Sequence, residues 1–402
     1  MKLKRIAAML LSGALAFTLL AGCGSEDSSS EAQSDTPQES TESTESKEET
    51  ESKEEESVND KYNVKLLGRT YFKDGTIWLG MSGTGVEFDY VGDKVTISTV
   101  GNPAGMDNCA RVAVYVDGER TQEALLLSDG KTFEIPGGGD KAVNIRFVKL
   151  SECAQSCCGI TGIDPNGGII SPAADKAHKI EIIGDSITCG YGVDAADENQ
   201  HFSTQTEDCT KSYSIKTANL LDADYSLFSI SGYGIISGYT TNGKAVTEQT
   251  IPQYYNKLGY SWNTGFGTEK PENIEWDFSK FVPEAVVINL GTNDMSYTGS
   301  KGDKKEEYKA GYIAFLKQVR EKNPSARIFC TLGIMGTTLN EAMRQAVEAY
   351  SEETGDTNIT VFDFPQQNGA ADGLGADWHP SDTTHTKSAE LLAAKIKEDM
   401  GW

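Results

Sequence analysis

The chain has 402 residues and a formal net charge of −24 at pH 7. So acidic a balance leaves nothing to neutralise phosphates and excludes a nucleic-acid partner. The length is enough for two domains with cores of their own.

Lys2, Lys4 and Arg5 precede an apolar run from Ile6 to Leu20, which is too short and too early for an ordinary membrane span. The run ends in Leu20-Ala21-Gly22-Cys23, which resembles the lipobox of bacterial lipoproteins. That resemblance implies a signal peptide over 1–22 and a lipid on Cys23, with the membrane met only through that anchor and the protein facing outside. Residues 24–60 carry 14 acidic groups and two Lys, half of the whole net charge. Such a segment cannot bury enough apolar surface to offset its ordering entropy. It reads as an extended acidic tether over 23–60, spanning about 35 Å even as a flexible coil. The remaining seven Cys permit disulfides in an exported protein, and an odd number leaves one thiol free. Cys189 with Cys209 is the first pairing to expect. The Cys153-Cys157-Cys158 cluster has no His at ligand spacing, so no metal is expected.

From 61 to 173 the grammar is β. Val95 and Ile97, then Val112, Val114 and Val116, then Val143, Ile145 and Phe147 recur with period two. Asp117-Gly118, Asp129-Gly130 and Gly137-Gly138-Gly139 punctuate them as turns. Short strands at this spacing predict an all-β jelly-roll or sandwich. From 174 to 402 apolar runs (Ile180–Ile183, Tyr225–Ile230, Ala285–Leu290, Ile328–Ile334, Ile359–Phe362) alternate with helical stretches (Ser212–Leu221, Lys304–Val319, Leu339–Tyr350, Lys387–Met400). This predicts an α/β domain with a flavodoxin-like parallel sheet, its site beyond the carboxyl ends of the strands.

The first run breaks into Gly184-Asp185-Ser186-Ile187-Thr188, a Ser where a buried strand turns into a helix. A hydroxyl there can attack a carbonyl, and the helix start can stabilise an oxyanion. This block resembles the first block of the SGNH, or GDSL, hydrolases. Ser231-Gly232, Gly291-Thr292-Asn293-Asp294 and Asp377-Trp378-His379-Pro380 resemble three further blocks in the family's order. The resemblance implies Ser186 as nucleophile and His379 as base. It implies an oxyanion hole from the N–H groups of Ser186 and Gly232 and the side chain of Asn293, and no cofactor. Most members carry Asp three residues before the His, where this chain has Ala376. Asp377, two before, is a candidate third triad member, and a backbone carbonyl is the alternative.

The β domain followed by an SGNH domain resembles carbohydrate esterase family 2. The texture of Leu67-Gly68-Arg69, Ser82-Gly83-Thr84-Gly85-Val86, Val116-Asp117-Gly118, Val148-Lys149-Leu150-Ser151-Glu152 and Ile180 through Gly192 agrees. That implies removal of O-acetyl groups from polysaccharides or oligosaccharides such as xylan, mannan or glucomannan. Trp378, Tyr233 and Tyr297 flank the blocks and are candidates for stacking on sugar rings. Alternatives are an esterase for O-acetylated peptidoglycan, a lipid esterase, for which the stretch 194–210 is too polar a lid, and a glycan-binding module of little activity. His201 reads as a solvated loop residue, His385 as a capping or surface residue, and Asp294 as a structural support for the loop that aims Asn293.

Overall fold

The computed structural model describes residues 57–402 apart from Asn263. The expected signal peptide, Cys23 and nearly all of the tether lie outside the described residues. The tether expectation runs a few residues too far. Ser57 and Asp60 form a reciprocal capping box on helix α1 (Val58–Tyr62), whose Tyr62 is buried.

Nine antiparallel strands follow: β1 (Lys65–Leu67), β2 (Thr70–Lys73), β3 (Thr76–Leu79), β4 (Gly85–Gly101), β5 (Ala110–Val116), β6 (Glu119–Leu126), β7 (Thr132–Lys149), β8 (Cys158–Asp164) and β9 (Ile169–Pro172). Their order is β2-β3-β8-β4-β7-β5-β6, with β1 and β9 also on β4. β4 and β7 run side by side, and their register shifts twice between Tyr90 and Lys94. Such bulges bend a strand pair. The first half of β4 pairs with β1 and β9, the second half with β8. The inward positions, among them Phe88, Ile97, Phe133, Ile145 and Phe147, fill one core.

The period-two pattern misses one feature. Ala110 through Tyr115 of β5 are all buried, where alternation predicts a solvated face. The second face is covered by the C-terminal domain. Arg111 bonds the Asp194 carboxylate at 2.8 Å and the Glu207 carbonyl at 3.2 Å. The polar stretch 194–210 is therefore an interdomain strap, with Thr204, Glu207, Asp208 and Cys209 buried.

The C-terminal domain holds β10 (His178–Gly184), β11 (Ala223–Ser229), β12 (Ala285–Asn289), β13 (Arg327–Leu332) and β14 (Ile359–Asp363), with helices α2 (Ser186–Cys189), α3 (Tyr213–Leu220), α4 (Thr292–Thr298), α5 (Gly302–Lys322), α6 (Asn340–Thr354), α7 (Gly369–Asp372) and α8 (Asp382–Met400). All five strands are parallel, in the order β11-β10-β12-β13-β14. This is the doubly wound order whose strands reverse direction of addition beside the first strand, and the crevice there opens at the carboxyl ends. Ile180 and Ile182 face α3 and α8. Ile183 faces the opposite layer with α5, α6 and the β domain's Met81 and Cys153. The two domains thus share a core. The expected Cys189–Cys209 bridge does not form: all seven described Cys are free, and Cys189 Sγ lies 3.2 Å from Ser229 Oγ while Cys209 Sγ lies 3.6 Å from the Lys149 carbonyl.

Arg69, in the turn between β1 and β2, enters the same core. It pairs with Glu181 of β10 at 2.8 Å, both side chains being buried, and donates to the carbonyls of Tyr255 and Lys257. Its guanidinium lies 4.4 Å from the Phe228 ring centroid. Removing one partner of such a pair leaves an uncompensated buried charge. Arg69→Met is expected to lower unfolding stability by about 3 kcal/mol or more, while Arg69→Met with Glu181→Leu recovers much of the loss. Urea unfolding midpoints of the two variants check this.

Candidate active site

Four loops meet at the carboxyl ends of the strands. Gly184, the last residue of β10, pairs in register with Ser229 of β11 and Asn289 of β12. Ser186, Ser231-Gly232 and Asn293 leave the sheet just beyond these three positions. Asp185 caps α2, its carboxylate accepting from the Ile187 N–H at 3.0 Å, and this turns the chain sharply at Ser186. Burial pushes the Asp185 carboxyl up to about 7.

His379 Nε2 stands 2.9 Å from Ser186 Oγ. The other ring nitrogen, Nδ1, stands 3.1 Å from the Ala376 carbonyl oxygen, where it can only donate. A donating Nδ1 leaves Nε2 unprotonated and ready to accept the Ser186 proton. The carbonyl therefore occupies the place expected for a carboxylate.

Of the two candidates for the third member, the backbone carbonyl faces the ring and Asp377 is turned away from it. Its oxygens accept from the Tyr191 hydroxyl at 3.0 Å and the Phe202 N–H at 3.1 Å, and lie 2.9 Å from His201 Nδ1. Its backbone shows why. Asp377 and Trp378 both adopt left-handed φ, 49° and 62°. Two such residues in succession are strained, and the contacts on either side must hold them. One contact is from Gly192, whose carbonyl accepts the Ala376 N–H at 3.0 Å. A Cβ on Gly192 would fall 2.3 Å from that of Ala376, so this close approach requires glycine.

Tyr191 stacks on His379 at 4.0 Å between centroids, and Phe202 stacks on the far side of Tyr191 at 4.1 Å. Sequence reasoning missed both rings, because they are brought together only by the strap. Burial among these groups lowers the His379 pKa to about 4, against the opposing pull of the Ala376 carbonyl.

Among the described residues, the N–H groups of Ser186 and Gly232 meet no acceptor. Gly232 has φ of 82° and open space where a Cβ would stand. Asn293 is buried nearby, its Nδ2 donating to the Tyr233 carbonyl at 2.8 Å and lying 3.3 Å from Asp185 Oδ2. Asp294 accepts the N–H groups of Ile235, Ile236 and Ser237, so the loop it ties down is the one that follows Gly232.

The aromatic candidates separate. Trp378 is 57% exposed beside His379. Tyr233 is only 1% exposed, packed against Tyr254 and Tyr260, so its ring is not offered to a ligand. Tyr297 bonds Glu307 and lies under Lys304, on the α5 side. Tyr239, which the sequence did not single out, is 60% exposed and its N–H donates to the Gly232 carbonyl at 2.8 Å. His201 is solvated. His385, expected as a capping or surface residue, is fully buried, and its Nδ1 accepts the Tyr213 N–H at the start of α3.

No convergent metal site arises from the Cys cluster: Cys158 packs in the β core, Cys153 and Cys157 in the shared one. Glu152, Cys189 and Glu207 bring possible ligand atoms within 4.8 Å of one another; hydrogen bonds engage Glu152 Oε2, Cys189 Sγ and Glu207 Oε2, while Glu207 Oε1 is buried without a partner among the described residues.

A serine hydroxyl in hydrogen-bond reach of a buried imidazole, with free N–H groups at the end of a doubly wound sheet, is the constellation of a carboxylic ester hydrolase. The comparisons narrow this. A model of the GDSL-like lipase/acylhydrolase family matches residues 182–387, and a carbohydrate esterase 2 N-terminal model matches residues 66–173. The chain belongs to the GDSL-like lipase/acylhydrolase family and carries a carbohydrate esterase 2 N-terminal domain. It is 32% identical over 80% of its length to the cellulase/esterase CelE of Acetivibrio thermocellus, and spans 37% of that larger protein. It is 25% identical to an acetylxylan esterase/glucomannan deacetylase of Cellvibrio japonicus, covering 85% of this chain and 90% of the relative. A family two carbohydrate esterase from Clostridium thermocellum, solved in complex with cellohexaose, matches with a TM-score of 0.72 at 30% identity, over 84% of this chain and 99% of that one.

Two outcomes follow from this geometry. Asp377→Ala should fall well short of the roughly 10⁴-fold loss in kcat that removal of an orienting carboxylate causes, whereas His379→Ala should reach about that size or more. Because His379 acts only when neutral and burial lowers its pKa, activity should persist as pH falls below 6.5 and be lost near pH 4. The acid limb of the kcat/KM profile on a model acetate ester checks the second.

Proposed function

We propose that this protein is an exported, lipid-anchored serine esterase that removes O-acetyl groups from plant cell-wall polysaccharides. The observation that carries the reading is the 2.9 Å approach of His379 Nε2 to Ser186 Oγ. Ser186 attacks the acetyl carbonyl as His379 takes its proton. The N–H groups of Ser186 and Gly232 and the Asn293 amide receive the oxyanion. For Asn293 this means exchanging a present partner for the oxyanion. The tetrahedral intermediate collapses, the carbon–oxygen bond to the sugar breaks, and His379 returns the proton to the sugar hydroxyl. Water, deprotonated by the same imidazole, then releases acetate.

The substrate class is supported by the Cellvibrio japonicus relative, named for acetylxylan and glucomannan, and by the cellohexaose bound to the Clostridium thermocellum esterase. The exposed indole of Trp378 beside the imidazole suits the apolar face of a sugar ring. Export and anchoring rest on the apolar run ending at Cys23, with the acidic segment behind it holding the catalytic domain away from the membrane.

Acetate release from acetylated xylan and acetylated glucomannan is the test, with Ser186→Ala as control. Release by the wild type alone is expected, and the faster polymer names the substrate. No release from either, with a model acetate ester also untouched, overturns the reading in favour of a glycan-binding module. Trp378→Ala should raise KM on the polymer about tenfold, a loss on the order of one aromatic contact, while leaving KM for a small acetate ester unchanged.

A further inference from the structure

The β domain reaches the candidate oxyanion hole with one side chain. Glu152 lies just beyond β7, outside the strand-and-helix blocks that carry Ser186 and His379. It is fully buried. Its Oε2 accepts the N–H of Ser231 at 2.8 Å, and Ser231 is the residue before Gly232.

We propose that Glu152 is a positioning residue for catalysis: by holding the Ser231 N–H from the other domain, it aims the Gly232 N–H at the oxyanion. The inference rests on the esterase reading above.

The hold is built from both sides. The N–H of Glu152 donates to Glu207 Oε2 of the strap at 3.0 Å, and its carbonyl accepts from the buried Lys149 ammonium at 3.0 Å. Gln155 Nε2 lies 3.5 Å from Glu152 Oε1, on the side away from Ser231. The carboxylate therefore has a fixed backbone behind it and one short bond ahead of it. The Ser231 side chain offers no alternative anchor, since its Oγ is buried without a partner among the described residues. Without Glu152, the buried Ser231 N–H would be unsatisfied, and that peptide would turn to find an acceptor. The next peptide carries the Gly232 N–H, and Gly232 at φ of 82° has no side chain to resist the turn. An oxyanion donor is useful only when it already points at the developing charge, because reorientation during the reaction cancels its benefit.

A buried carboxylate beside a site that collects negative charge looks unhelpful. Burial, opposed by the hydrogen bond from the Ser231 N–H, raises the Glu152 carboxyl from its ordinary range, and Glu207 is raised well above its own by burial and by Glu152 itself. The bond to Ser231 needs only an acceptor oxygen, which a protonated carboxyl or a carboxamide also supplies.

The test compares wild type, Glu152→Gln and Glu152→Ala as full chains on 4-nitrophenyl acetate, with thermal unfolding measured on each. Loss of one oxyanion donor costs about 10²–10³ in rate, so a misaimed donor should cost at least about tenfold. The expected result is a kcat about tenfold or more lower for Glu152→Ala, KM within about twofold, and Glu152→Gln restored to within about threefold of wild type. Wild-type kcat in a folded Glu152→Ala overturns the inference. Equal losses in both variants overturn it too, since charge rather than the acceptor oxygen would then matter. An inactive wild type is a different failure and overturns the esterase reading itself. If Glu152→Ala does not fold, Glu152→Gln decides through its KM-against-kcat split: near wild-type kcat supports the inference, and a kcat loss of tenfold or more at unchanged KM overturns it.

Discussion

Glu181 sits on an inner strand of a parallel sheet, five residues before Ser186, where an unpaired carboxylate could not be tolerated. Its partner, Arg69, comes from the other domain and is itself wrapped by Phe228, Tyr255, Trp276 and Phe278. The Tyr255 hydroxyl donates to the second Glu181 oxygen at 2.6 Å. This clamp places the β domain against the strand that delivers Ser186. The other contacts between the domains, from Arg111 of β5 against the strap to Glu152 at the Ser231 loop, require the two domains to be set in this same placement. The β domain is thus built into the frame that carries the candidate site.

The histidine loop solves the orientation problem without a carboxylate at the ring. A carbonyl at 3.1 Å selects the same tautomer as an aspartate would, but brings no net charge to stabilise the imidazolium. Stacking on Tyr191 supplies the second constraint, on ring plane rather than on protonation. The carboxylate of Asp377 is spent on loop architecture instead, tying the histidine loop to Tyr191, His201 and Phe202 of the strap. A strained pair of left-handed residues at 377 and 378 is thereby held, and the same twist leaves Trp378 open to solvent beside the imidazole.

Much of this was legible in the residues. The five apolar runs became five parallel strands, because strands covered on both faces are mostly apolar, and their shortness and alternation with helical stretches, rather than any period, set them apart from helices. Every long helix appeared where its pattern stood, with ends displaced by at most five residues. In the β domain, alternation marked three strands of nine. The rest are short or hold few apolar residues, and β5, although marked, is buried on both faces because its outer face is an interface.

The sequence by itself determined the two-domain layout, the serine at a strand-to-helix turn and the histidine ahead of the last helix, since each follows from local pattern and block order. Only the tertiary structure decided what lies within reach of those two residues. The Ala376 carbonyl comes from a strained turn, the Tyr191 ring from the segment between α2 and the strap, and Glu152 from another domain. Their roles depend on distances of 2.8 to 4.0 Å, which for Tyr191 and Glu152 join segments far apart in the chain, and no local pattern encodes a distance. For the same reason the sequence could not tell that Tyr233 is packed away, that His385 is buried, or that Cys189 and Cys209 remain unpaired.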